Sequence, residues 1–103
     1  MANTPETKVK IQLKALLDSY GVLQYPIYPS MYNKRGYWDK QCWAPDGTGF
    51  VIESKKPGGK LSPFQESWKL DYIKWNIPHF IYDGSVELQT PLEEFLKLHG
   101  VKK

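Results

Sequence analysis

The sequence predicts a single α/β domain, bordering on α+β, in which helices flank a central mixed sheet. The 103 residues are enough for one modest hydrophobic core and too few for two. Hydrophobic residues make up 41% of the chain and aromatic residues 15%, a composition typical of folded proteins. Helical and strand patterns follow each other in the order α-β-β-β-α-β-α, which indicates a layered fold spanning residues 1–103.

The first helix is predicted to begin after Thr4, because Thr4 can cap it and Pro5 suits the first helical position. Apolar residues then recur at helical spacing as far as Tyr20, and Gly21 ends the helix. Residues 22–28 are rich in β-formers and predict a strand. Pro26 places that strand at an edge of the sheet or at a bend.

Two strands joined by a tight turn at Pro45-Asp46-Gly47 are predicted next, since proline presets the first turn position and glycine accepts a positive φ. A two-residue loop would pair position 39 with position 54 and put Asp39 on the opposite face from Glu53 and Lys55. The turn residues favour a three-residue loop instead. This loop pairs 39 with 53 and brings the three charged side chains to one face.

The second half of the chain predicts two further helices and one strand. A helix is expected from about Ser62 to Trp75, and a short buried strand from Pro78 to Tyr82. Thr90-Pro91 is predicted to open the last helix. No repeat, low-complexity tract or linker interrupts this order.

The strand that ends in Glu53 and Lys55 carries the strongest chemical signal. Residues two apart in a strand share a face, so a carboxylate that can hold a divalent cation lies beside an ammonium group that can contact a phosphate or its attacking water. Alternating charges on a solvated strand edge would produce the same pattern. Asp39, paired with Glu53, supplies a second acid.

These residues resemble the VRR-NUC branch of the PD-(D/E)xK nuclease superfamily. The resemblance is carried by Asp39, the hairpin, Glu53-Ser54-Lys55 and the segment Pro57-Gly58-Gly59-Lys60-Leu61-Ser62-Pro63-Phe64-Gln65, and it covers about residues 4–83. It implies a restriction-endonuclease-like α-β-β-β-α-β core, here with an extra C-terminal helix. One departure is that Trp38 precedes Asp39 where the family usually has a proline.

The resemblance further implies a DNA endonuclease that depends on Mg²⁺ or Mn²⁺ and leaves 5′-phosphate and 3′-hydroxyl ends. The residues it assigns to catalysis are Asp39, Glu53, Lys55 and Gln65, and those it assigns to the metal are Asp39, Glu53, the backbone carbonyl of Ser54 and Glu6. Two of these have simpler interpretations. Glu6 in a first helical turn favours the helix dipole, and Gln65 completes a capping box with Ser62.

Positive charge is concentrated around these residues. Positions 34–60 hold six basic and three acidic side chains, which equals the net charge of +3 of the whole chain and suits a polyphosphate partner. The Gly-rich link before the second helix can present N–H groups to a phosphate. Ser54 stands where a nucleotide-binding P-loop needs glycine, so no nucleotide cofactor is expected. The predicted DNA contacts are Lys34, Arg35, Lys40, Lys56, Gly58, Gly59 and Lys60.

Aromatic residues flank this basic segment. Tyr32, Tyr37, Trp38 and Trp43 could stack on exposed bases, although core packing is the better prediction for Trp38 and Trp43. His79 and His99 have no partner at metal-ligand spacing and are predicted to be structural.

The sequence also favours an intracellular setting. Cys42 is the only cysteine, so no internal disulfide can form. Neither a signal peptide nor a membrane helix is apparent, and we expect a cytoplasmic protein of a bacterial cell or a phage-infected host that is not secreted. The resemblance implies a homodimer acting on branched DNA such as Holliday junctions. The alternatives are a nuclease that nicks or cuts unbranched DNA and a non-catalytic nucleic-acid-binding module.

Overall fold

The computed structural model describes residues 4–27 and 37–100. The elements are helix α1 (Pro5–Ser19), strands β1 (Leu23–Pro26), β2 (Lys40–Trp43) and β3 (Gly49–Ser54), helix α2 (Pro63–Lys74), strand β4 (His79–Tyr82) and helix α3 (Val86–His99). The strands form one mixed sheet in the order β1-β2-β3-β4, in which only the β3–β4 pair is parallel. This confirms the predicted α/β class, the element order and the additional C-terminal helix.

The first two helices begin where their capping residues predict. The Thr4 side chain accepts a hydrogen bond from the Thr7 N–H group at 3.1 Å, and Ser62 with Gln65 forms a complete capping box. Beyond α1, Gly21 adopts a φ of +71°, a conformation that glycine tolerates best. The N-terminal caps and the positive-φ glycine thus fix where α1 and α2 lie along the chain.

The hairpin between β2 and β3 has the predicted three-residue loop. Lys40 pairs with Ile52 and Trp43 with Gly49, a register that continues to Asp39 opposite Glu53. The Gly47 N–H group donates to the Ala44 carbonyl at 2.8 Å, and Gly47 has a φ of +93°. β1 is an edge strand, which agrees with its proline.

The predicted start of the last helix at Thr90-Pro91 is wrong. α3 begins at Val86, five residues before Pro91, because the Ser85 side chain caps it by accepting a bond from the Leu88 N–H group. Pro91 therefore lies inside the helix, where it lacks the N–H group that would bond to the preceding turn. The Thr90 hydroxyl donates to the Val86 carbonyl at 2.8 Å and adds a local bond beside the missing one.

The sheet is covered on its two sides by different sets of residues. On the α1 and α3 side lies the major cluster, whose buried members are Val9, Leu13, Leu17, Val22, Cys42, Ala44, Phe50, Ile52, Tyr82, Leu92 and Leu96. On the α2 side lies the minor cluster of Trp38, Val51 and Tyr72. Because side chains alternate along β3, Glu53 follows Val51 onto the α2 side. Among the residues that the structure describes, no helix is long and apolar enough to cross a membrane.

Candidate metal-binding and catalytic site

Asp39 and Glu53 lie side by side at the end of the β2–β3 pair farthest from the hairpin loop. The Asp39 N–H group donates to Glu53 Oε1 at 3.2 Å, and the Ser54 N–H group donates to Asp39 Oδ2 at 3.3 Å. Each carboxylate is therefore oriented by the backbone of the opposite strand. This reciprocal arrangement follows from the three-residue hairpin loop, since the alternative register would separate the two acids.

Glu53 is a buried acid with an unusual proton affinity. Only 4% of the residue is exposed, and burial together with the charge of Asp39 raises the pKa of Glu53 to about 7, against the opposing effect of Lys55. The Lys55 ammonium lies 3.5 Å from Glu53 Oε2. Two neighbouring carboxylates in a desolvated site disfavour double ionisation, and a bound cation would relieve that repulsion.

The two carboxylate oxygens of Asp39 differ in their contacts within the described residues. Asp39 Oδ1 is buried and has no hydrogen-bond partner among the described residues, whereas Oδ2 accepts the Ser54 bond. Burial raises the pKa of this carboxyl group, and the positive charge of Lys10 acts against that rise. Buried polar atoms without a partner are rare in native proteins and are typical of ligand-binding or catalytic positions.

Helix α1 contacts the site through Lys10, which the sequence analysis missed. The Lys10 ammonium lies 3.9 Å from Asp39 Oδ2. The predicted ligand Glu6 is exposed in the first turn of α1, and its charge contributes to the raised pKa of Asp39, after burial and against the larger opposing effect of Lys10. Residues four apart share a helix face, so the spacing of Glu6 and Lys10 was the available signal. The ligand role of Glu6 stays a prediction.

The acidic residues at the site form a pair and not a larger cluster. Within residues 4–27 and 37–100, no group of three or more histidine, cysteine, aspartate or glutamate side chains is placed to hold a metal ion. A cation bound by Asp39 and Glu53 would take its other ligands from carbonyl oxygens and water, as Mg²⁺ commonly does. The Ser54 carbonyl, at the end of β3, stays the predicted protein carbonyl for that purpose.

Gln65 connects the start of α2 to Glu53. Its side-chain Nε2 donates to Glu53 Oε2 at 2.8 Å, while its Oε1 accepts the Ser62 N–H group at 2.9 Å. The capping-box interpretation is therefore confirmed, and the same side chain also contacts Glu53. The amide nitrogen is directed at Glu53, and the catalytic role of Gln65 stays a prediction.

The two hairpin tryptophans differ in burial. Trp38 is completely buried in the minor cluster, as core packing predicts, and its indole N–H group donates to the Gln65 carbonyl at 3.1 Å. The same prediction is wrong for Trp43, which is 37% exposed. Trp43 pairs with exposed Leu23 of the edge strand, and neither residue belongs to a core cluster.

The basic residues predicted to bind DNA are distributed over several places. Lys34 and Arg35 lie outside the described residues. Lys40 is on the opposite sheet face from Asp39, and its ammonium donates to Gln24 Oε1 at 2.9 Å. The other predicted contacts, all in the link between β3 and α2, are Lys56, Gly58, Gly59 and Lys60. Lys56 and Lys60 are both exposed.

The Gly-rich link uses backbone donors internally, at Gly59 and also at Gly58, which bonds to Asp83. The Gly59 N–H group donates to the Lys56 carbonyl at 2.8 Å, and Gly58 has a φ of +77°. In this conformation the Gly59 N–H group is not free for a phosphate. A phosphate at the link would be bound mainly by the ammonium groups of Lys56 and Lys60, and this contact stays a prediction.

The remaining aromatic and histidine residues agree with structural roles where the structure describes them. His79 Nδ1 lies 2.8 Å from the Ile77 carbonyl oxygen, and His99 Nδ1 lies 2.7 Å from Asp46 Oδ2. Tyr37 packs partly buried against the minor cluster. Tyr32 lies outside the described residues.

No protein-family model, curated protein or solved structure matches the chain. The resemblance to VRR-NUC nucleases therefore depends on the motif residues of this sequence alone. What the site does is inferred from its own geometry.

Proposed function

We propose that this protein is a metal-dependent DNA endonuclease with a restriction-endonuclease-like active site. The observation that carries the proposal is a pair of adjacent carboxylates, the buried Glu53 and the half-buried Asp39, whose Oδ1 atom is shielded and has no partner among the described residues. Lys55 lies 3.5 Å from Glu53. Two acids and a lysine in this proximity are the groups that metal-assisted phosphodiester hydrolysis requires.

The donor set is suited to Mg²⁺ or Mn²⁺. Both ions prefer carboxylate and carbonyl oxygens, and Asp39 and Glu53 would hold the ion together with the Ser54 carbonyl and water. The raised pKa of Glu53 and the Oδ1 atom of Asp39, which has no partner among the described residues, both mark places where positive charge would be favourable. A bound ion would lower the pKa of the water that it holds and would polarise the scissile phosphate.

The chain's own residues would bind the phosphate and stabilise the charge that develops on it. Lys55 forms an ion pair with Glu53, and only 17% of its side chain is exposed, so its charge acts in a partly desolvated site where electrostatic effects are strong. Gln65 keeps the Glu53 carboxylate in a fixed orientation. Lys10, which is exposed beside Asp39, can contact a neighbouring phosphate.

Branched DNA and a homodimer belong to the same proposal. Two copies of the domain would place two active sites at a fixed spacing, which suits paired nicks across a four-way junction. The excess of basic residues between positions 34 and 60 favours a polyphosphate substrate. Within this proposal the products carry 5′-phosphate and 3′-hydroxyl ends.

The test is cleavage of labelled linear, nicked, flap and four-way-junction DNA in Mg²⁺ or Mn²⁺. We expect the wild type to cut, the junction best, and both Glu53→Gln and Lys55→Ala to lose at least about a hundredfold in rate. Glu66→Gln alters an exposed acid that follows Gln65 and has no assigned role, and Lys97→Ala alters an exposed lysine of α3; both serve as matched controls. EDTA must abolish the cutting.

Other results would lead to the rival functions. Efficient cutting of linear or nicked DNA without junction preference would make the protein a nicking or restriction-like nuclease. Binding to all four DNAs without cleavage in either metal would overturn the nuclease proposal in favour of a nucleic-acid-binding module.

A further inference from the structure

A closed ring of contacts passes through Glu53. One of its members, Trp38, has no evident chemical role. Asp39 donates its N–H group to Glu53 Oε1, and Gln65 donates its side-chain amide to Glu53 Oε2. Trp38, which is covalently joined to Asp39, donates its indole N–H group to the Gln65 carbonyl at 3.1 Å. The ring thus runs from Trp38 through Asp39, Glu53 and Gln65 back to Trp38.

Trp38 joins the two elements that this ring needs to hold in register. The β2–β3 hairpin carries both acids, and α2 carries Gln65. Besides the Gln65–Glu53 bond itself, helix and sheet are joined by the packing of the minor cluster. Packing alone tolerates small sliding movements, whereas a hydrogen bond fixes a direction and a distance. The Trp38 bond therefore sets the position of the first turn of α2 relative to Glu53.

The Trp38 indole is well placed for this task because it cannot move to another partner. Trp38 is completely buried, and its ring meets Tyr72 edge-on at 4.9 Å and His79 at 5.7 Å between centroids. Buried indole N–H groups generally require an acceptor, so the bond is costly to break. A proline before Asp39, as in the family pattern, has no such donor.

We propose that Trp38 is a positioning residue that acts through Gln65 to hold the Glu53 carboxylate in the orientation needed for cation binding. The inference deepens the proposed function and rests on it in so far as Glu53 is a metal ligand. Outer-shell partners of metal ligands typically contribute ten- to a hundredfold to metal affinity. Loss of the indole donor is therefore expected to weaken Mn²⁺ binding about tenfold while the fold is retained.

The experiment compares Trp38→Phe with Tyr72→Phe. The first variant loses the indole donor to Gln65. The second keeps the aromatic side chain that packs against Trp38 and removes only its hydroxyl, which takes no part in the closed set of contacts. Two-dimensional NMR of the side-chain amide of Gln65, assigned with Gln65→Glu, reports its bond to Glu53 without any metal or DNA. Titration calorimetry with Mn²⁺ reports the cation affinity, and thermal melting confirms that each variant is folded.

In the wild type and in Tyr72→Phe, we expect the Gln65 amide protons to be slow to exchange with solvent. In Trp38→Phe they should exchange faster and shift towards free-amide values, and Mn²⁺ affinity should fall about tenfold. If Trp38→Phe does not fold, replacement of the Trp38 indole by its benzothiophene isostere removes the donor and keeps the volume. An unchanged amide signal and unchanged Mn²⁺ affinity in a folded variant would overturn the inference.

The failure of the inference can be told apart from the failure of the proposed function. A wild type that binds no Mn²⁺ and cuts no DNA contradicts the nuclease proposal, and the Gln65 amide signal still decides whether Trp38 positions this side chain. A wild type that cuts DNA, together with a Trp38→Phe variant that has wild-type Mn²⁺ affinity and amide signal, contradicts only the role of Trp38.

Discussion

The two sides of the sheet serve different purposes. Among the described residues, the major cluster, on the α1 and α3 side, has eleven buried members, and all but Cys42 and Tyr82 are aliphatic residues or Phe50. The minor cluster, on the α2 side, has three buried members in the same part of the chain and is dominated by aromatic rings. The buried acid Glu53 lies at its border, held by Asp39 and Gln65. Stability comes mainly from the first side, and the second side accommodates a buried acid.

This difference indicates how a small domain can retain a costly site. A buried carboxylate opposes folding unless it is hydrogen-bonded or paired, and Glu53 has both kinds of partner. The hydrophobic burial that offsets this cost lies across the sheet, in contacts that do not include the acids. Substitutions on the two sides should therefore separate stability from cation binding.

Leu13→Ala should give the largest change in stability. Leu13 is completely buried in the major cluster, and such truncations cost about 2–5 kcal/mol of the free energy of unfolding. The folded fraction of this variant should keep wild-type Mn²⁺ affinity. Urea unfolding gives the stability, with Leu70→Ala, at a site 66% exposed, as the control. A Leu13→Ala protein as stable as that control would refute the division between the two sides.

The pH dependence of stability should identify Glu53 on the other side. Its pKa of about 7 in the folded protein lies above the ordinary 4.5, so the folded state binds the proton more tightly. The stabilising effect of that proton is present below pH 4.5 and is lost as the pH rises through 7, a change on the order of 3 kcal/mol.

Urea unfolding in EDTA between pH 4.5 and 8 measures how the unfolding free energy changes with pH in the wild type and in Glu53→Gln. The variant cannot titrate at this position, and its unfolding free energy should depend less on pH across the same range. Equal slopes in the two proteins would show that Glu53 titrates normally and is not in a desolvated acidic pair.

Removal of the helix caps should have a smaller effect, one that again differs between the two sides. Thr4→Ala and Ser62→Ala each remove an N-cap, at a cost of about 1 kcal/mol of unfolding free energy. Only Ser62→Ala loosens the turn that carries Gln65, so only this variant should also lower Mn²⁺ affinity. Equal Mn²⁺ affinities in the two variants would show that the cap of α2 does not influence cation binding.

Much of the fold could be predicted because local chemistry determined it. The Pro45-Asp46-Gly47 turn specified the register, and the register alone placed Asp39 opposite Glu53. The start of α3 was misassigned because Ser85 and Thr90 are both good capping residues, and only the structure shows which of them the chain uses. Two capping signals within five residues leave the helix start undetermined by local sequence.

The site could be predicted only where its residues are neighbours on strands. The Trp38 bond joins positions 27 residues apart and depends on how α2 packs against the sheet, which no local pattern encodes. Trp43 is exposed because no described helix covers the β1 and β2 end of the sheet face on which α2 packs. The sequence does not indicate that this end is uncovered. Lys10 could be found only through its four-residue spacing from Glu6, because no motif of its own marks it as part of the site.

The most direct test of the central claim is calorimetric titration of Mn²⁺ into the wild type at pH 8, with Asp39→Asn, Glu53→Gln and Glu66→Gln as comparisons. The account predicts binding to the wild type and to Glu66→Gln, and at least about a hundredfold weaker binding when either Asp39 or Glu53 loses its charge. Equal Mn²⁺ affinity in all four proteins, or no binding to the wild type at millimolar Mn²⁺, would contradict it.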